Sequence, residues 1–476
     1  MFRLKKISQI KIVKQKSYIL PVKNYLTISD MPKPKSLPII GTKLEFLAAG
    51  GANKLHKYVN SRHKNLGPIF KESLGGNTDL VFLSDPELIK TLFMNLEGKY
   101  PIHILPEPWV LYEKIYGAQR GLFFMNGEEW LNNRRILNKI LLRESDDWIA
   151  DSIEKTIRDT MQTWKLNLEK GCRFPNIESE LYRLSSNVII NILLGTHSLE
   201  LSDHYNEMLS LFSDSMKKIF QTTTKLYSIP VNWCQKLNLK VWRDFKESVD
   251  LTLFLGRKIT REMMFNKNKS DGLLKRMTEE NMSPEIITRI VSDLIIAAGD
   301  TTTYTALWTL LLLTRNEDTL KESRKGDQKY IKYIVKESMR LYPVAPFLTR
   351  ILPQETILGD YKLSKGTPII ASIYTTGRDK QNFSEPNSFL PYRWDKTDPR
   401  KKDLINHVPP ATLPFALGSR SCIGKKIAMK QLSEFISQIT YNFDLKCNNN
   451  QQIKSVTSQI LIPDQNIDFS LSVRKQ

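Results

Sequence analysis

The chain has 476 residues, of which 41% are hydrophobic and 25% are charged, and this composition excludes a disordered or fibrous protein. Its formal net charge of +20 is compatible with nucleic-acid binding, but the basic residues are spread along the chain without a recognition motif, which disfavours that function. The spacing of the four cysteines matches no zinc-binding or redox motif and predicts no disulfide framework. They are Cys172, Cys234, Cys422 and Cys447.

The first 30 residues are predicted to form a mitochondrial presequence. Residues 1–29 contain seven basic residues and no acidic residue before Asp30, interleaved with apolar residues and serines. A basic leader without a targeting role is the alternative. No stretch of the chain reaches the roughly 18 continuous apolar residues of a membrane span. We therefore expect no membrane anchor, and a single domain over residues 31–476.

The remaining chain predicts a mainly α protein with small β-sheets, an α+β fold. Prolines at 32, 34 and 38 enforce an extended, non-helical backbone at the start of the domain. Strand-like runs follow at residues 68–74 and 79–83, and again between 356 and 373. From about 128 to 341, apolar residues recur at three- and four-residue spacings, which indicates helices.

One predicted helix is unusually long. It begins at Ser283-Pro284-Glu285, which combines an N-cap, a first-turn proline and an early acid, and it continues to about Leu313. Its middle, residues 297–303, contains a glycine and three consecutive threonines, which weaken helix formation and predict a local distortion. Asp300 and Thr301 stand there between two apolar stretches, so a merely solvated turn is disfavoured.

Glu337 and Arg340 lie on the next strongly predicted helix, where residues three apart share a face and can form an ion pair. Such pairs are common on solvated helices and carry little information alone.

A cysteine loop, residues 415–424, precedes the last predicted helix. Cys422 lies at the start of that helix, where unpaired N–H groups and the helix dipole favour a thiolate. Gly418 and Gly424 allow the backbone to approach a flat macrocycle closely, and Arg420 can pair with an anionic substituent. The alternative for a lone cysteine is a buried structural residue.

The loop reads Phe-x-x-Gly-x-Arg-x-Cys-x-Gly and resembles the haem-binding loop of the cytochrome P-450 family at every fixed position. The resemblance implies haem b with Cys422 as the axial thiolate ligand of the iron. It also implies the fold of that family, with the long central helix across the haem and the cysteine loop on its proximal side. The residues that match haem contacts of the family are Trp130, Arg134, Arg350, Phe415, Arg420 and Gly424.

The resemblance also gives roles to the two other motifs. It implies that Asp300 and Thr301 border the oxygen site and relay protons for the reaction of O2, a catalytic role. It further implies that Glu337, Arg340 and Arg393 form a buried structural ion-pair cluster, Arg393 belonging to the segment Pro391-Tyr-Arg393-Trp394.

Basic residues near these motifs resemble those of the mitochondrial members of the family. In those members lysines dock an acidic, adrenodoxin-like ferredoxin, which an NADPH-ferredoxin reductase reduces. The matching residues are Lys332, Lys336, Lys425 and Lys426. The implied location is the matrix side of the mitochondrial inner membrane, with peripheral membrane contact. A solvated helix face is the alternative for each lysine pair, and a diflavin reductase is the less favoured donor.

Four stretches, residues 47–58, 120–130, 297–302 and 341–347, resemble members of the family that hydroxylate an ecdysteroid. The implied reaction is hydroxylation of 2-deoxyecdysone at C-2, giving ecdysone. By the same resemblance, the pocket walls are the segment before Gly121, residues 294–301, 344–348 and 458–461. The alternatives are a mitochondrial sterol hydroxylase with different regiochemistry, a haem isomerase or dehydratase, which would not use Asp300 and Thr301, and a non-catalytic haem sensor or nucleic-acid-binding protein.

Overall fold

The computed structural model describes residues 25–38, 40–74, 78–117, 120–143, 147–195, 202–227, 229–265 and 271–475. Residues 1–24 of the predicted presequence lie outside the described residues. No helix in the described part of the chain combines the length and the apolar character needed to cross a membrane.

Helices make up most of the described chain, which confirms the predicted mainly α fold with small sheets. The helices are α1 (Lys43–Ala48), α2 (Leu55–Leu66), α3 (Pro86–Thr91), α4 (Glu107–Tyr116), α5 (Gly127–Asn138), α6 (Asp147–Glu169), α7 (Ile177–Leu194), α8 (Ser202–Leu226), α9 (Val231–Lys236), α10 (Lys240–Phe265), α11 (Leu273–Glu279), α12 (Pro284–Thr314), α13 (Glu317–Ser323), α14 (Gln328–Leu341), α15 (Ile373–Thr376) and α16 (Lys425–Asn442).

The strands are short and form four small sheets. They are β1 (Leu26–Thr27), β2 (Ile69–Glu72), β3 (Leu80–Leu83), β4 (Phe347–Ile351), β5 (Thr356–Leu358), β6 (Tyr361–Leu363), β7 (Pro368–Ser372), β8 (Phe443–Cys447), β9 (Ser455–Ser458), β10 (Ile460–Pro463) and β11 (Phe469–Val473). The largest sheet has the order β2-β3-β7-β4, in which only β3 and β7 are parallel. The others are β1-β6-β5, β9-β10 and β8-β11. The strand-like runs read from the sequence correspond to β2, β3 and β5–β7.

Helix α12 lies in the centre of the main apolar core and packs against α7, α10, α14 and α16. The Ser283 hydroxyl caps it by accepting a 3.3 Å hydrogen bond from the N–H of Ile286. Near its other end, the fully buried Trp308 donates to the carbonyl of Leu461 at 3.0 Å and stacks on Tyr342. These contacts hold the helix in place across the molecule.

The helix runs without a break through the segment where the sequence predicts a distortion. The hydroxyl of Thr301 donates to the carbonyl of Ala297 at 2.6 Å, and Thr305 and Thr309 make the same bond one and two turns later, each at 2.7 Å. Threonines satisfied in this way need no departure from the helix, and the burial of Gly299, Asp300, Thr302 and Thr303 stabilises the segment despite its weak helix propensity.

Candidate active site

The cysteine loop turns back on itself just before α16. The N–H of Cys422 donates to the carbonyl of Phe415 at 2.9 Å, and α16 begins three residues after Cys422, with Gly424 preceding it. Gly418 has a φ of +77°, and a Cβ there would collide with the carbonyl of Phe93 and the carboxylate of Glu97. Both its conformation and its surroundings therefore require glycine.

The side chain of Cys422 is exposed. Surrounding protein atoms nonetheless raise the pKa of its thiol by burial. The N–H of Gly424, Arg134 and Lys425 lower the pKa as the helix-start argument predicts, but burial outweighs them. Coordination to a metal cation deprotonates such a thiol.

Arg134 and Arg350 both lie near Arg420 of this loop. Burial, and next the charges of Arg350 and Arg134, lower the pKa of Arg420 to about 10. Each of the three side chains has a buried N–H without a hydrogen-bond partner: Nε of Arg134, Nη2 of Arg350 and Nε of Arg420. Burying a cation with an unused hydrogen-bond donor costs free energy. An anionic group that accepts from the three side chains would offset that cost.

Backbone and aromatic contacts hold these arginines in place. Arg420 donates to the carbonyl of Met125 at 2.5 Å, and its guanidinium lies 4.4 Å from the centre of the buried Trp130 ring. Arg134 donates to the carbonyl of Ser421 at 2.6 Å, next to the cysteine. The structure thus brings Trp130 and Arg134 to the cysteine loop, to which Arg420 itself belongs.

Two residues of this region carry no signal in the sequence. Glu97 accepts a 2.7 Å hydrogen bond from Nε of Arg350, and it also accepts from the N–H and the hydroxyl of Ser419, both at 2.8 Å. His103 lies near Arg420 and Arg350, and burial and these two cations lower its pKa to about 3, so the ring is neutral. Neither residue belongs to a recognisable motif, because their partners are more than two hundred residues away along the chain.

These residues fit the haem that the loop motif implies. The unused guanidinium N–H groups offer donors to carboxylates, and the exposed sulfur of Cys422 offers a ligand to iron. A Cβ at Gly424 would meet only the sulfur of Cys422, at 3.9 Å, so the backbone there is open beside the sulfur, whereas the space at Gly418 is taken by Phe93 and Glu97 rather than left for a macrocycle. The donor set therefore suits an iron-containing group with two carboxylates.

Asp300 and Thr301 are consecutive on α12 but have different surroundings. Thr301 is half-buried, with its hydroxyl bonded to Ala297. Asp300 is 1% exposed, and neither of its carboxylate oxygens has a hydrogen-bond partner. Burial raises the pKa of Asp300 to about 7; Lys217 lowers it in part and Glu178 raises it. No hydrogen bond joins the two side chains, both of which belong to the described part of the chain.

The structure brings Glu337, Arg340 and Arg393 together in a fully buried cluster. Arg340 binds both carboxylate oxygens of Glu337, at 2.9 and 2.8 Å, and Arg393 binds one of them at 2.8 Å. The indole N–H of Trp394 and the backbone N–H of Leu390 add two bonds of 3.0 Å each. The two arginines also donate to backbone carbonyls, so the buried charges are well satisfied.

The four lysines proposed for partner docking all lie at the surface. Lys332 and Lys336 are exposed one turn apart on α14, directly before the buried Glu337. Lys425 and Lys426 are exposed in the first turn of α16, directly after the cysteine loop, and Lys426 donates to the carbonyl of Leu142 at 3.1 Å.

Comparison with known proteins supports the motif-based interpretation. The family model for Cytochrome P450 matches residues 31–471. The chain is 37% identical over 468 residues to cytochrome P450 315a1, mitochondrial, of Drosophila melanogaster, covering 94% of this chain and 89% of the relative. It is 28% identical to the mitochondrial 1,25-dihydroxyvitamin D(3) 24-hydroxylase of Rattus norvegicus, covering 94% and 90%, and 25% identical to the mitochondrial cholesterol side-chain cleavage enzyme of Homo sapiens, covering 88% and 85%.

Proposed function

The chain belongs to the cytochrome P450 family and is a haem-dependent monooxygenase, and we propose that it hydroxylates an ecdysteroid, converting 2-deoxyecdysone to ecdysone at C-2. The observation that carries this proposal is the 37% identity to the Drosophila relative over nearly the whole of both chains, together with the four stretches that resemble ecdysteroid hydroxylases.

We assign the haem contacts to residues of this chain as follows. Family members bind haem b through a cysteine thiolate, and Cys422 is the residue that stands in the matching loop. Arg134, Arg350 and Arg420 would pair with the two carboxylates of the haem, with Trp130 holding Arg420 in place. Phe415 would position Cys422 through its carbonyl. When bound, the haem supplies the chemistry that activates O2 for insertion into a C–H bond.

The protein's own contribution to that chemistry is the supply of protons. Thr301 lies in the central part of α12. Its hydroxyl can hold a water molecule when it releases its hydrogen bond to the carbonyl of Ala297. Because its pKa is about 7, the side chain of Asp300 is partly protonated and partly ionised at neutral pH. A group in that condition can both give and take a proton during turnover.

Two sets of hydrogen bonds involve the predicted pocket walls. The N–H of Leu461 donates to the carbonyl of Val344 at 2.9 Å, which joins two of the predicted wall segments. Arg120 donates twice to one oxygen of Asp293, at 3.0 and 2.8 Å, which joins the segment before Gly121 to α12. Nη1 of Arg120 and Oδ2 of Asp293 are buried without partners. A few polar groups among mainly apolar wall residues suit a sterol that carries several hydroxyls.

The electron donor and the location are inferred from the relatives, which are named mitochondrial. We propose that an adrenodoxin-like ferredoxin, reduced by its NADPH-dependent reductase, docks on the lysines of α14 and α16. The enzyme would then act on the matrix side of the inner membrane, in peripheral contact with it.

Reconstitution tests the proposal. The purified protein is combined with a mitochondrial-type ferredoxin, its reductase, NADPH and 2-deoxyecdysone, and the product is identified by mass spectrometry and NMR. We expect ecdysone. A steroid product hydroxylated at another carbon would support the second candidate, a mitochondrial sterol hydroxylase of different regiochemistry, which the vitamin D and cholesterol relatives favour. Cholesterol and a vitamin D sterol are therefore offered in parallel reactions.

A further inference from the structure

A buried ion pair links the segment before Gly121 to α12. Nε and Nη2 of Arg120 both donate to one oxygen of Asp293, at 3.0 and 2.8 Å. The two side chains are only 6% and 9% exposed. Nη1 of Arg120 and Oδ2 of Asp293 are buried without hydrogen-bond partners. The pair therefore keeps one spare donor and one spare acceptor in the interior, which costs free energy unless another group satisfies them.

The surrounding structure holds Arg120 in a fixed position. Its guanidinium lies 4.2 Å from the centre of the Trp109 ring and 4.5 Å from that of the Phe124 ring. Nε of Arg289, on α12, donates to the carbonyl of Arg120 at 2.9 Å. A Cβ at Gly121 would lie 2.4 Å from the carbonyl oxygen of Arg289, so only glycine lets the segment approach the helix this closely. The ion pair is thus preorganised, which lowers the entropic cost of binding a ligand group.

Both members of the pair are close along the chain to residues of the proposed active site. Asp293 precedes Asp300 by seven residues on α12, and helix residues seven apart lie on nearly the same face. Arg120 precedes Met125 by five residues, and the carbonyl of Met125 accepts a hydrogen bond from Arg420 of the cysteine loop. Five residues span at most about 18 Å. These connections place the pair between the haem-binding arginines and the middle of α12.

A hydroxyl is the ligand group that suits the spare atoms of this pair. It can accept a hydrogen bond from Nη1 of Arg120 or donate one to Oδ2 of Asp293, whereas a hydrocarbon segment does neither. A ketone could only accept, and would leave Oδ2 unsatisfied. A carboxylate could accept from Arg120, but its charge would be repelled by that of Asp293. The pair therefore favours an alcohol over a ketone, an acid or a hydrocarbon.

We propose that Arg120 and Asp293 are specificity-determining residues that bind a hydroxyl which the substrate already carries. This proposal rests on the proposed function, because it concerns the sterol that the site hydroxylates. A sterol without that hydroxyl leaves the buried pair unsatisfied, and this penalises its binding. The pair thereby selects hydroxylated sterols and holds them in one orientation. Both residues position the substrate and take no part in the reaction itself.

The Arg120→Met/Asp293→Leu double variant tests this role. Replacing both partners of a buried ion pair by apolar side chains is often neutral for stability, whereas removing one partner leaves a buried charge unpaired. The dissociation constants of 2-deoxyecdysone and of cholesterol, which carries a single hydroxyl, are measured from the change in haem absorbance as each sterol binds. We expect the wild type to prefer 2-deoxyecdysone, and the double variant to lower that preference at least about tenfold.

The matched control is Arg324→Met/Asp444→Leu. Arg324 and Asp444 also form an ion pair, of 2.7 Å, and Nε of Arg324 is also buried without a partner, but this pair joins the end of α13 to β8. The control should keep the wild-type ratio of the two dissociation constants. If the apolar double variant does not fold, Arg120→Gln/Asp293→Asn should change the ratio in the same direction but by less, because neutral hydrogen bonds are weaker than charge-assisted ones.

An unchanged ratio in variants that retain haem would overturn the role of the pair, and would show that a water molecule alone satisfies its spare atoms. A wild type that binds cholesterol as tightly as 2-deoxyecdysone would contradict it as well. Failure of the proposed function is recognised separately, since the wild type would then form no ecdysone from 2-deoxyecdysone, whichever sterol it binds more tightly.

Discussion

The carboxylate of Glu97 accepts a 2.7 Å hydrogen bond from Nε of Arg350, although 253 residues separate them along the chain. The other oxygen of Glu97 accepts two bonds from Ser419 in the cysteine loop. One carboxylate therefore links a proposed haem-binding arginine to the loop that holds Cys422. Both partners of the ion pair are buried, with 6% and 7% of their side chains exposed.

Glu97→Gln should loosen the cysteine loop. Removing one partner of a buried ion pair leaves the other charge uncompensated and costs about 3–5 kcal/mol. We expect a lower midpoint of urea unfolding and faster transfer of haem to an excess of a haem-scavenging globin. The control is Glu87→Gln, since the Glu87 side chain is 72% exposed and pairs only loosely with Lys90. Equal rates of haem transfer in the two variants would contradict the linking role.

Cys422→Ala should abolish the absorption spectrum that is typical of a thiolate-ligated haem. The alanine removes the only sulfur that stands in the matching loop, and no other atom there can replace it as a soft ligand. The measurement is the difference spectrum of the reduced, carbon monoxide-treated protein. Cys447→Ala is the control, because Cys447 is half-buried at the end of β8. A thiolate spectrum retained in Cys422→Ala would refute the assignment.

Thr301→Ala should keep the haem and lower the product formed per NADPH about tenfold, with the lost reducing equivalents found as hydrogen peroxide. Without the hydroxyl, no side chain at this position can hold the water that delivers the proton. Thr309→Ala is a matched control, since its hydroxyl makes the same bond to the carbonyl four residues earlier on the same helix. Product and peroxide are measured together; unchanged coupling in Thr301→Ala would show that its hydroxyl is not part of the relay.

Asp300→Asn should change how stability depends on pH. Burial raises the pKa of Asp300 from 3.8 to about 7, so between these values the folded protein binds more protons here than the unfolded chain. The contribution of this group to the free energy of unfolding is therefore fully present below about pH 4. It falls as the pH rises to about 7 and stays constant above pH 7. The full change is at most about 4 kcal/mol.

Urea unfolding of the wild type and Asp300→Asn at pH 5 and pH 8 measures this effect. The wild type should lose more stability than the variant between the two values. Asp403→Asn serves as the control because Asp403 is exposed. The same pH dependence in wild type and Asp300→Asn would mean that Asp300 titrates in its ordinary range.

The Lys332→Gln/Lys336→Gln double variant should need about tenfold more ferredoxin for half-maximal turnover at low salt. Removing two exposed positive charges slows association with an acidic partner, and added salt should shrink the difference because it screens the same charges. The substrate-induced spectral change should stay the same. A Lys57→Gln/Lys64→Gln variant, altered at two exposed lysines of α2, provides the comparison. Equal ferredoxin dependence in both variants would exclude docking on α14.

The parts of this protein that follow local rules could be predicted from its sequence. Ser283 and Pro284 mark the start of α12 because capping and first-turn proline act within one turn, and the helix begins where they predict. The loop around Cys422 was recognisable because its backbone needs glycine at a fixed distance from the cysteine. The Glu337–Arg340 pair was readable because residues three apart share a helix face.

Which distant groups contact one another depends on how the helices and strands pack together. Nothing near Glu97 in the sequence indicates that it pairs with Arg350 and Ser419, and nothing near Glu337 indicates the bonds from Leu390 and Trp394. The burial of Asp300, and with it the rise of its pKa, depends on the packing of α7 and α8 against α12. Burial and long-range pairing are properties of helices packed together, so a single segment of sequence carries no signal for them.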